Sequence, residues 1–219
     1  MAINYTVQAS VVDIRSDTPR ATDAFLVDTS VWSWVAYPRA TTGAGQPSSS
    51  KSNAYANYIK RALIAKAKLY RCGLSLPELA HLVEKTERRI WEAANPSLRP
   101  PGCFDEMGWM NTKEFRHNLP EERRNVARQT QAAWHVVKGM AQCLDVCVDE
   151  PVTEAALVRF QTQPLDGYDL LMVENMAKAG VVQVLTDDGD FCTVPGIHVF
   201  TANQSVISAA FTQKKPTNR

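Results

Sequence analysis

Acidic residues stand at four places in the chain where a strand is predicted to end or a helix to begin. Asp28 ends the apolar run FLVD, and Glu78 and Asp169 stand near the starts of two predicted helices. The segment TDDGDF places Asp187, Asp188 and Asp190 after the apolar run VVQVL. Carboxylates that meet at such positions repel each other, and a divalent cation is the usual remedy. The pattern therefore favours a site for Mg²⁺ or Mn²⁺ and metal-dependent cleavage of phosphodiesters.

Each of these acids also has a structural interpretation. Asp28 could cap the helix that follows it, and Ser75 and Glu78 have the spacing of a capping box. Asp169 is a natural N-cap, with Asp166 three residues earlier as a competing one. An Asp-rich turn can also lie in solvent. The residues alone favour function for Asp28 and the TDDGDF segment, and favour structure for the other two acids.

Strands and helices alternate along the chain. Short apolar runs predict strands in AFLVDTS, KLYRCGLSL, VCV, VVQVLTD and IHVFTA. Helices are predicted for SVWSWVAY, for residues 54–67, after Pro77, after Pro120, for TEAALVRFQ and for 169–179, which Gly180 ends. This alternation predicts an α/β fold, a three-layer α/β/α sandwich around a central, mainly parallel sheet with an extra helical insertion.

Composition limits the function classes further. With 219 residues, 45% of them hydrophobic, the chain suits one large α/β domain, and its net charge of +1 does not point to nucleic acid. Residues 60–140 are basic and residues 141–191 acidic, which suits separate places for polyanion and metal or two solvated helix faces. Five cysteines without a C-x-x-C pair, no leader and no long apolar run predict a cytoplasmic protein outside the membrane.

The succession of motifs resembles that of PIN-domain ribonucleases. The resemblance is carried by FLVDTSV, by the helix-opening Glu78, by the acid-to-glycine interval 169–180 and by TDDGDF, and it covers roughly residues 24–202. TDDGDF is the most specific of these motifs, and it places the fourth acid of the family on Asp188, with Asp190 as an auxiliary. The interval between the second and third acids is much longer than in the small toxins of the family.

The resemblance implies a Mg²⁺- or Mn²⁺-dependent endoribonuclease that cleaves single-stranded RNA, of a toxin or defence type. The implied catalytic acids are Asp28, Glu78, Asp169 and Asp188, and the implied metal ligands are Asp28, Asp169, Asp188 and Asp190. Substrate contacts are expected from the hydroxyls of Thr29, Ser30 and Thr186 and from the guanidinium groups of Arg123 and Arg124. Trp109 and Phe115 are candidates for stacking on bases, with local packing as the alternative for Trp109.

On this interpretation residues 24–206 form the nuclease domain. Residues 1–23 are an N-terminal extension, as an extra strand or a loose arm, and 207–219 are a frayed tail. Residues 38–53 are predicted to be a flexible loop and 95–119 an ordered insertion. An antitoxin or other inhibitory protein and a second copy of the chain are expected partners beside the RNA.

Three other functions remain open. One is an RNA-processing nuclease, and another is a PIN-like module that binds RNA or protein without cutting. The third is a phosphatase of the haloacid-dehalogenase type, which also begins with an Asp after a buried strand. That chemistry needs a second acid two residues later, where this chain has Ser30.

Overall fold

The computed structural model describes residues 3–41, 49–102 and 108–216. Its centre is a parallel sheet whose strands are β1 (Ser10–Asp13), β2 (Ala24–Val27), β3 (Lys68–Cys72), β4 (Gln142–Leu144), β5 (Gln183–Leu185) and β6 (His198–Thr201). The strand order is β1-β6-β5-β2-β3-β4, and each neighbouring pair is parallel.

Eight α-helices connect and flank these strands within the described ranges. They are α1 (Thr29–Ala36), α2 (Ser49–Ile64), α3 (Ser75–Ala94), α4 (Thr112–Asn118), α5 (Pro120–Met140), α6 (Glu150–Phe160), α7 (Gly167–Ala179) and α8 (Gln204–Thr212). Short 3₁₀ helices cover Pro96–Leu98 and Asp190–Thr193. None of the described helices is long and apolar enough to cross a membrane.

Alternate residues of each strand pack on opposite faces of the sheet, as the pleat requires. On β2, Phe25 and Val27 join one apolar cluster and Leu26 joins another. The first cluster includes side chains from α1 to α5, and the second includes side chains from α6, α7 and α8. The predicted three-layer α/β/α arrangement is therefore confirmed.

The order of the strands places a switch point between β2 and β5. From β2 the chain moves outward through β3 to β4 and then returns, through α6 and α7, to the opposite side of β2. Connections that leave neighbouring parallel strands in opposite directions open a crevice beyond their carboxyl ends. Asp28 follows β2 directly, and Thr186 follows β5 directly.

Several predicted boundaries are wrong. The fourth strand is Gln142–Leu144 rather than VCV, because the Cys147 amide bonds the Asn175 side chain on α7 instead of β3. The segment predicted as a frayed tail contains most of α8, whose Val206 and Ile207 are buried. The N-terminal extension supplies β1, as its extra-strand alternative predicts, whereas α2 already begins at Ser49, within the predicted loop. Residues 42–48 and 103–107, parts of the predicted loop and insertion, lie outside the described residues.

Candidate functional site

Asp28 is held at the switch point by hydroxyl groups. It occupies the N-cap position of α1, but its side chain makes no capping bond, and the residue is only 7% exposed. Its Oδ2 accepts hydrogen bonds from Ser30 Oγ at 2.6 Å and from Thr186 Oγ1 at 2.8 Å. The structural interpretation of Asp28 as a helix cap is therefore wrong, and its carboxylate is fixed between the ends of β2 and β5.

Glu78 is tied to α1 rather than to the start of its own helix. The capping box predicted as the alternative does not form, since the N-cap is Leu74 and Ser75 Oγ is buried without a hydrogen bond in the described structure. Instead, Glu78 Oε2 accepts a hydrogen bond of 2.5 Å from Thr29 Oγ1. This bond joins Glu78 of α3 to Thr29, the residue next to Asp28.

Asp169 lies in the first turn of α7 without capping it. The cap is Asp166, whose Oδ1 accepts from the amides of Tyr168 at 2.9 Å and Asp169 at 3.0 Å. Asp169 itself is 5% exposed. Burial of a carboxyl group is costly unless it is protonated or paired, so this position calls for an explanation other than capping.

The two adjacent acids of TDDGDF have different hydrogen-bond partners. Asp187 accepts hydrogen bonds from Lys51 Nζ at 2.9 Å and from the Tyr55 hydroxyl at 3.0 Å. Asp188 lines the crevice, its amide donates to Thr186 Oγ1 at 2.9 Å, and its Oδ1 accepts from the amide of Asp190 at 2.8 Å. The structure thus places Asp188 at the site, whereas Asp187 and Asp190 are not among the lining residues.

These acids meet in one cavity of about 780 Å³ at the carboxyl edge of the sheet. Asp28, Glu78, Asp169 and Asp188 all line it, and the capping Asp166 lines it as well. The four predicted acids come from distant parts of the chain, so their convergence is a property of the fold rather than of any local motif.

The charges of these groups act on one another. Burial, together with the charges of Asp28, Asp166, Asp188 and Glu78, raises the pKa of Asp169 to about 9. Burial likewise raises the pKa of Glu78 to about 7, against a lowering effect of the bond from Thr29. The pKa of Asp28 is also raised, first by burial, although Ser30 and Thr186 oppose the shift.

The donor set fits a hard divalent cation. Carboxylate oxygens are what Mg²⁺ and Mn²⁺ bind, and the raised pKa values mean that burial and mutual repulsion disfavour the ionised forms of these acids unless a cation binds among them. Over the part of the chain that the structure describes, no three His, Cys, Asp or Glu side chains form a ready-made metal-binding group. An ion such as Mg²⁺ keeps several of its waters in proteins, so an ion held here would contact these acids partly through them.

The predicted substrate-binding residues divide between the cavity and the surface. Thr29, Ser30 and Arg123 line the cavity, and Thr186, which is completely buried, reaches it through its bond to Asp28. Arg124 does not line it, because its guanidinium pairs with Glu121 on the exposed face of α5. A contact between Arg124 and the substrate, outside the cavity, stays a prediction.

Arg116 contributes a second guanidinium to the wall. It lines the cavity and forms two bonds to Glu84, of 2.7 and 2.6 Å. Arg116 belongs to α4, within the insertion 95–119, and Arg123 belongs to α5, which directly follows it, so this part of the chain supplies two positive charges to the crevice. The basic section of the sequence thus meets the acidic one here.

The expected base-stacking residues lie elsewhere. Phe115 is fully buried in the core and contacts Trp91, so it cannot stack on a base. Trp109 packs against Trp91 with ring centroids 5.7 Å apart, as its local-packing alternative predicts. Two lining residues, His81 and Tyr168, were missed. His81 lies three residues after Glu78 on α3, and that helical spacing could have identified it.

The geometry defines a class of protein, a three-layer α/β protein with a carboxylate-lined crevice at its switch point. A scan against models of protein families finds no match to the chain, and a search among curated proteins finds none either. The resemblance to PIN-domain ribonucleases therefore depends on the motifs of the sequence and on where the fold places them.

Proposed function

We propose that the protein is a Mg²⁺- or Mn²⁺-dependent endoribonuclease of the PIN type, which hydrolyses phosphodiester bonds of single-stranded RNA. The observation that carries the proposal is the convergence of Asp28, Glu78, Asp169 and Asp188 on one cavity at the switch point. Structural acids are normally paired or exposed, whereas two of these are buried and all three with resolved shifts have raised pKa values.

Each acid has a role that its contacts support. Asp28, Asp169 and Asp188 would hold the cation, and the hydroxyls of Ser30 and Thr186 orient the Asp28 carboxylate for it. A cation bound there supplies activation of a water and neutralises charge on the scissile phosphate. Glu78, with a pKa of about 7, is suited to accept a proton near neutral pH while Thr29 keeps its Oε2 in place.

The other lining residues support a nucleic-acid strand as substrate. The guanidinium of Arg123 lines the same cavity as the acids and can contact a phosphate without reading sequence. Tyr168 is 44% exposed and lines the cavity beside Asp169, where its ring can stack on an unpaired base. Contacts of these two kinds favour a single strand over a duplex.

We place this activity in a toxin or defence setting in the cytoplasm. A partner that inhibits such an enzyme would cover the crevice and present basic side chains to its acids. An RNA-processing role uses the same chemistry, and the presence or absence of a small inhibitory protein encoded beside the gene separates the two settings.

The direct test is cleavage of an unstructured, end-labelled RNA by purified protein with Mn²⁺ or Mg²⁺. Asp28→Asn and Asp188→Asn should each lower the rate by roughly 100-fold or more, since each removes a charge that stabilises the reaction. Asp187→Asn is the matched control from the same turn, because Asp187 bonds Lys51 and Tyr55 rather than lining the cavity. Circular dichroism checks that all three variants fold.

Two results would oppose the proposal. Cleavage by Asp28→Asn and Asp188→Asn at the wild-type rate would trace the activity to a contaminating nuclease. Absence of cleavage of RNA and DNA by the wild type, with no Mn²⁺ bound at these acids, would leave a module that binds without cutting.

A further inference from the structure

Gly189, in the middle of the acidic turn, has no room for a side chain. Its φ of −74° is one that any residue adopts, so the backbone does not require glycine there. A Cβ built on Gly189 would instead overlap the Cε1, Cζ and hydroxyl of Tyr5. The ring of Tyr5 therefore lies directly against Gly189, the residue between Asp188 and Asp190 in the turn.

The chain segment that carries Tyr5 is held by hydrogen bonds at Tyr5 itself and at the residues that follow it. The backbone oxygen of Tyr5 accepts from Gln213 Nε2 at 2.7 Å, and the Val7 amide donates to Gln213 Oε1 at 2.9 Å. The Gln8 amide then donates to the backbone oxygen of Cys192 at 2.8 Å, just before the segment enters β1. Tyr5 is thus fixed to α8 and to the 3₁₀ helix that follows the turn.

The turn is also held by hydrogen bonds at its first residue, where the Asp187 side chain accepts from Lys51 and Tyr55 and the Asp187 backbone oxygen accepts from Asn203 Nδ2 at 2.8 Å. Inside it, the Asp188 amide bonds Thr186 and the Asp190 amide bonds Asp188. Outside it lies Tyr5, whose pKa is raised first by burial and then by the charges of Asp188 and Asp190. The hydroxyl thus stays neutral beside the acids, and the ring adds packing without adding negative charge.

We infer that Tyr5 is a positioning residue, whose ring braces the 187–190 turn against Gly189 and thereby keeps Asp188 in the cavity. The bracing is a statement about the fold, and its consequence for the reaction rests on the proposed function. Tyr5 would then affect catalysis although its segment precedes all four acids in the sequence.

Amide hydrogen exchange tests the bracing without any assay of activity. Tyr5→Ala should speed exchange of the Asp188 and Asp190 amides by about tenfold, because the turn opens more often. Tyr5→Phe should leave exchange unchanged, since it keeps the ring. Ile3→Ala is the control from the same segment, because Ile3 is 72% exposed. Exchange in Tyr5→Ala equal to that in Ile3→Ala overturns the inference, as does a Tyr5→Phe protein that behaves like Tyr5→Ala.

A double-mutant cycle tests the contact itself. Gly189→Ala should speed exchange in the wild-type background, because the new Cβ displaces the Tyr5 ring. In the Tyr5→Ala background the same change should add less than about twofold, because the space is then free. Fully additive effects of the two changes would show that Tyr5 and Gly189 act separately, and the inference would fail.

Titration with Mn²⁺ connects the bracing to the reaction. Tyr5→Ala should bind Mn²⁺ about tenfold more weakly and lower kcat with the KM for RNA unchanged, while Tyr5→Phe restores both. Unchanged Mn²⁺ affinity and kcat in Tyr5→Ala would overturn the consequence for the site. If the wild type binds no Mn²⁺, the proposed function fails, and the exchange measurements still decide whether Tyr5 braces the turn.

Discussion

The helix α3 carries buried carboxylates along its middle and end and a half-buried one, Glu78, at its start, and the groups that surround them differ. Glu84, Glu87 and Glu92 lie along its middle and end, and each is 7% exposed or less. Glu78 lies at its start and lines the crevice with Asp28 and Asp169. Both groups belong to one helix on the same face of the sheet, yet the hydrogen-bond donors that surround them are of different kinds.

The glutamates along the middle and end of α3 have strong donors around them. Glu87 accepts from the Tyr37 hydroxyl at 2.5 Å, from Arg39 at 2.8 Å and from Asn125 at 2.9 Å. Glu84 has the two bonds from Arg116, which lower its pKa. A buried acid whose pKa falls is stabilised as an ion by its partners.

The crevice acids have hydroxyl groups and one another instead. Burial and mutual repulsion raise the pKa values of Asp28, Glu78 and Asp169, so the fold disfavours the ionised forms of these three acids in the metal-free protein. Burial alone therefore does not identify an acid of the proposed site. The acids of the proposed site differ from the paired ones in having pKa values raised by burial and repulsion, and a cation bound among them would restore the stability that this arrangement costs.

The largest expected effect on stability is at a paired acid. Glu87→Ala leaves three donors without their acceptor, one of them the buried Tyr37 hydroxyl, and should lower the free energy of unfolding by roughly 3 kcal/mol. Urea denaturation measures the loss, with the exposed Glu154→Ala as control. The RNA cleavage rate per folded molecule should not change. Equal unfolding midpoints for the two variants would erase the distinction between the two kinds of acid.

A second, smaller effect is the pH dependence of the metal-free protein. The folded-state pKa values of Asp169 (about 9) and Glu78 (about 7) exceed those of an unfolded chain, so the folded protein binds more protons at intermediate pH. Stability from these groups is full below about pH 4 and is lost as pH rises from there through the folded pKa values.

Thermal unfolding at several pH values with and without Mg²⁺ measures this dependence. Mg²⁺ should restore more stability at pH 9 than at pH 6, since it binds the ionised acids. Asp169→Asn should remove most of the slope. A metal-free slope of the opposite sign would mean that the acids are paired as ions in the folded protein.

The smallest expected effect is a gain. Asp169→Asn keeps the shape of the side chain and removes its charge, so at pH 8 the metal-free variant should be about 1 kcal/mol more stable than the wild type. The exposed Asp145→Asn is the control, with a change near zero expected. A loss of stability in Asp169→Asn would place that residue with the paired acids of α3.

The position of a residue in the fold could be predicted from the sequence where the local pattern and the order of strands and helices agree. Asp28 follows a short apolar strand, and alternation of strands and helices is enough to place it at the carboxyl edge of a parallel sheet. For Glu78 and Asp169 local pattern was ambiguous, because capping explains each equally well. The choice depended on Thr29, 49 residues from Glu78, and on Asp166 taking the cap.

Other features had weaker signals or none. Asn203 before the apolar positions 206, 207 and 210 marks α8, and its side chain indeed accepts from the Ser205 amide. The strand in CLDVCV was misplaced because two short apolar runs compete there, and only pairing with β3 decides between them. Nothing local to Tyr5 predicts its contact with a turn more than 180 residues away.

The hydrogen bond from Thr186 to Asp28 spans 158 residues of sequence, and this separation has a consequence for folding. Closing so long a loop costs entropy before any contact rewards it, so pairings of this kind form late and slowly. During synthesis, β2 and β3 emerge and can pair long before β5 exists. A nascent chain at that stage holds Asp28 and Glu78 with the hydroxyls of Ser30 and Thr29, but it lacks Thr186. The crevice closes only after the polypeptide through β5 and its acidic turn has left the ribosome.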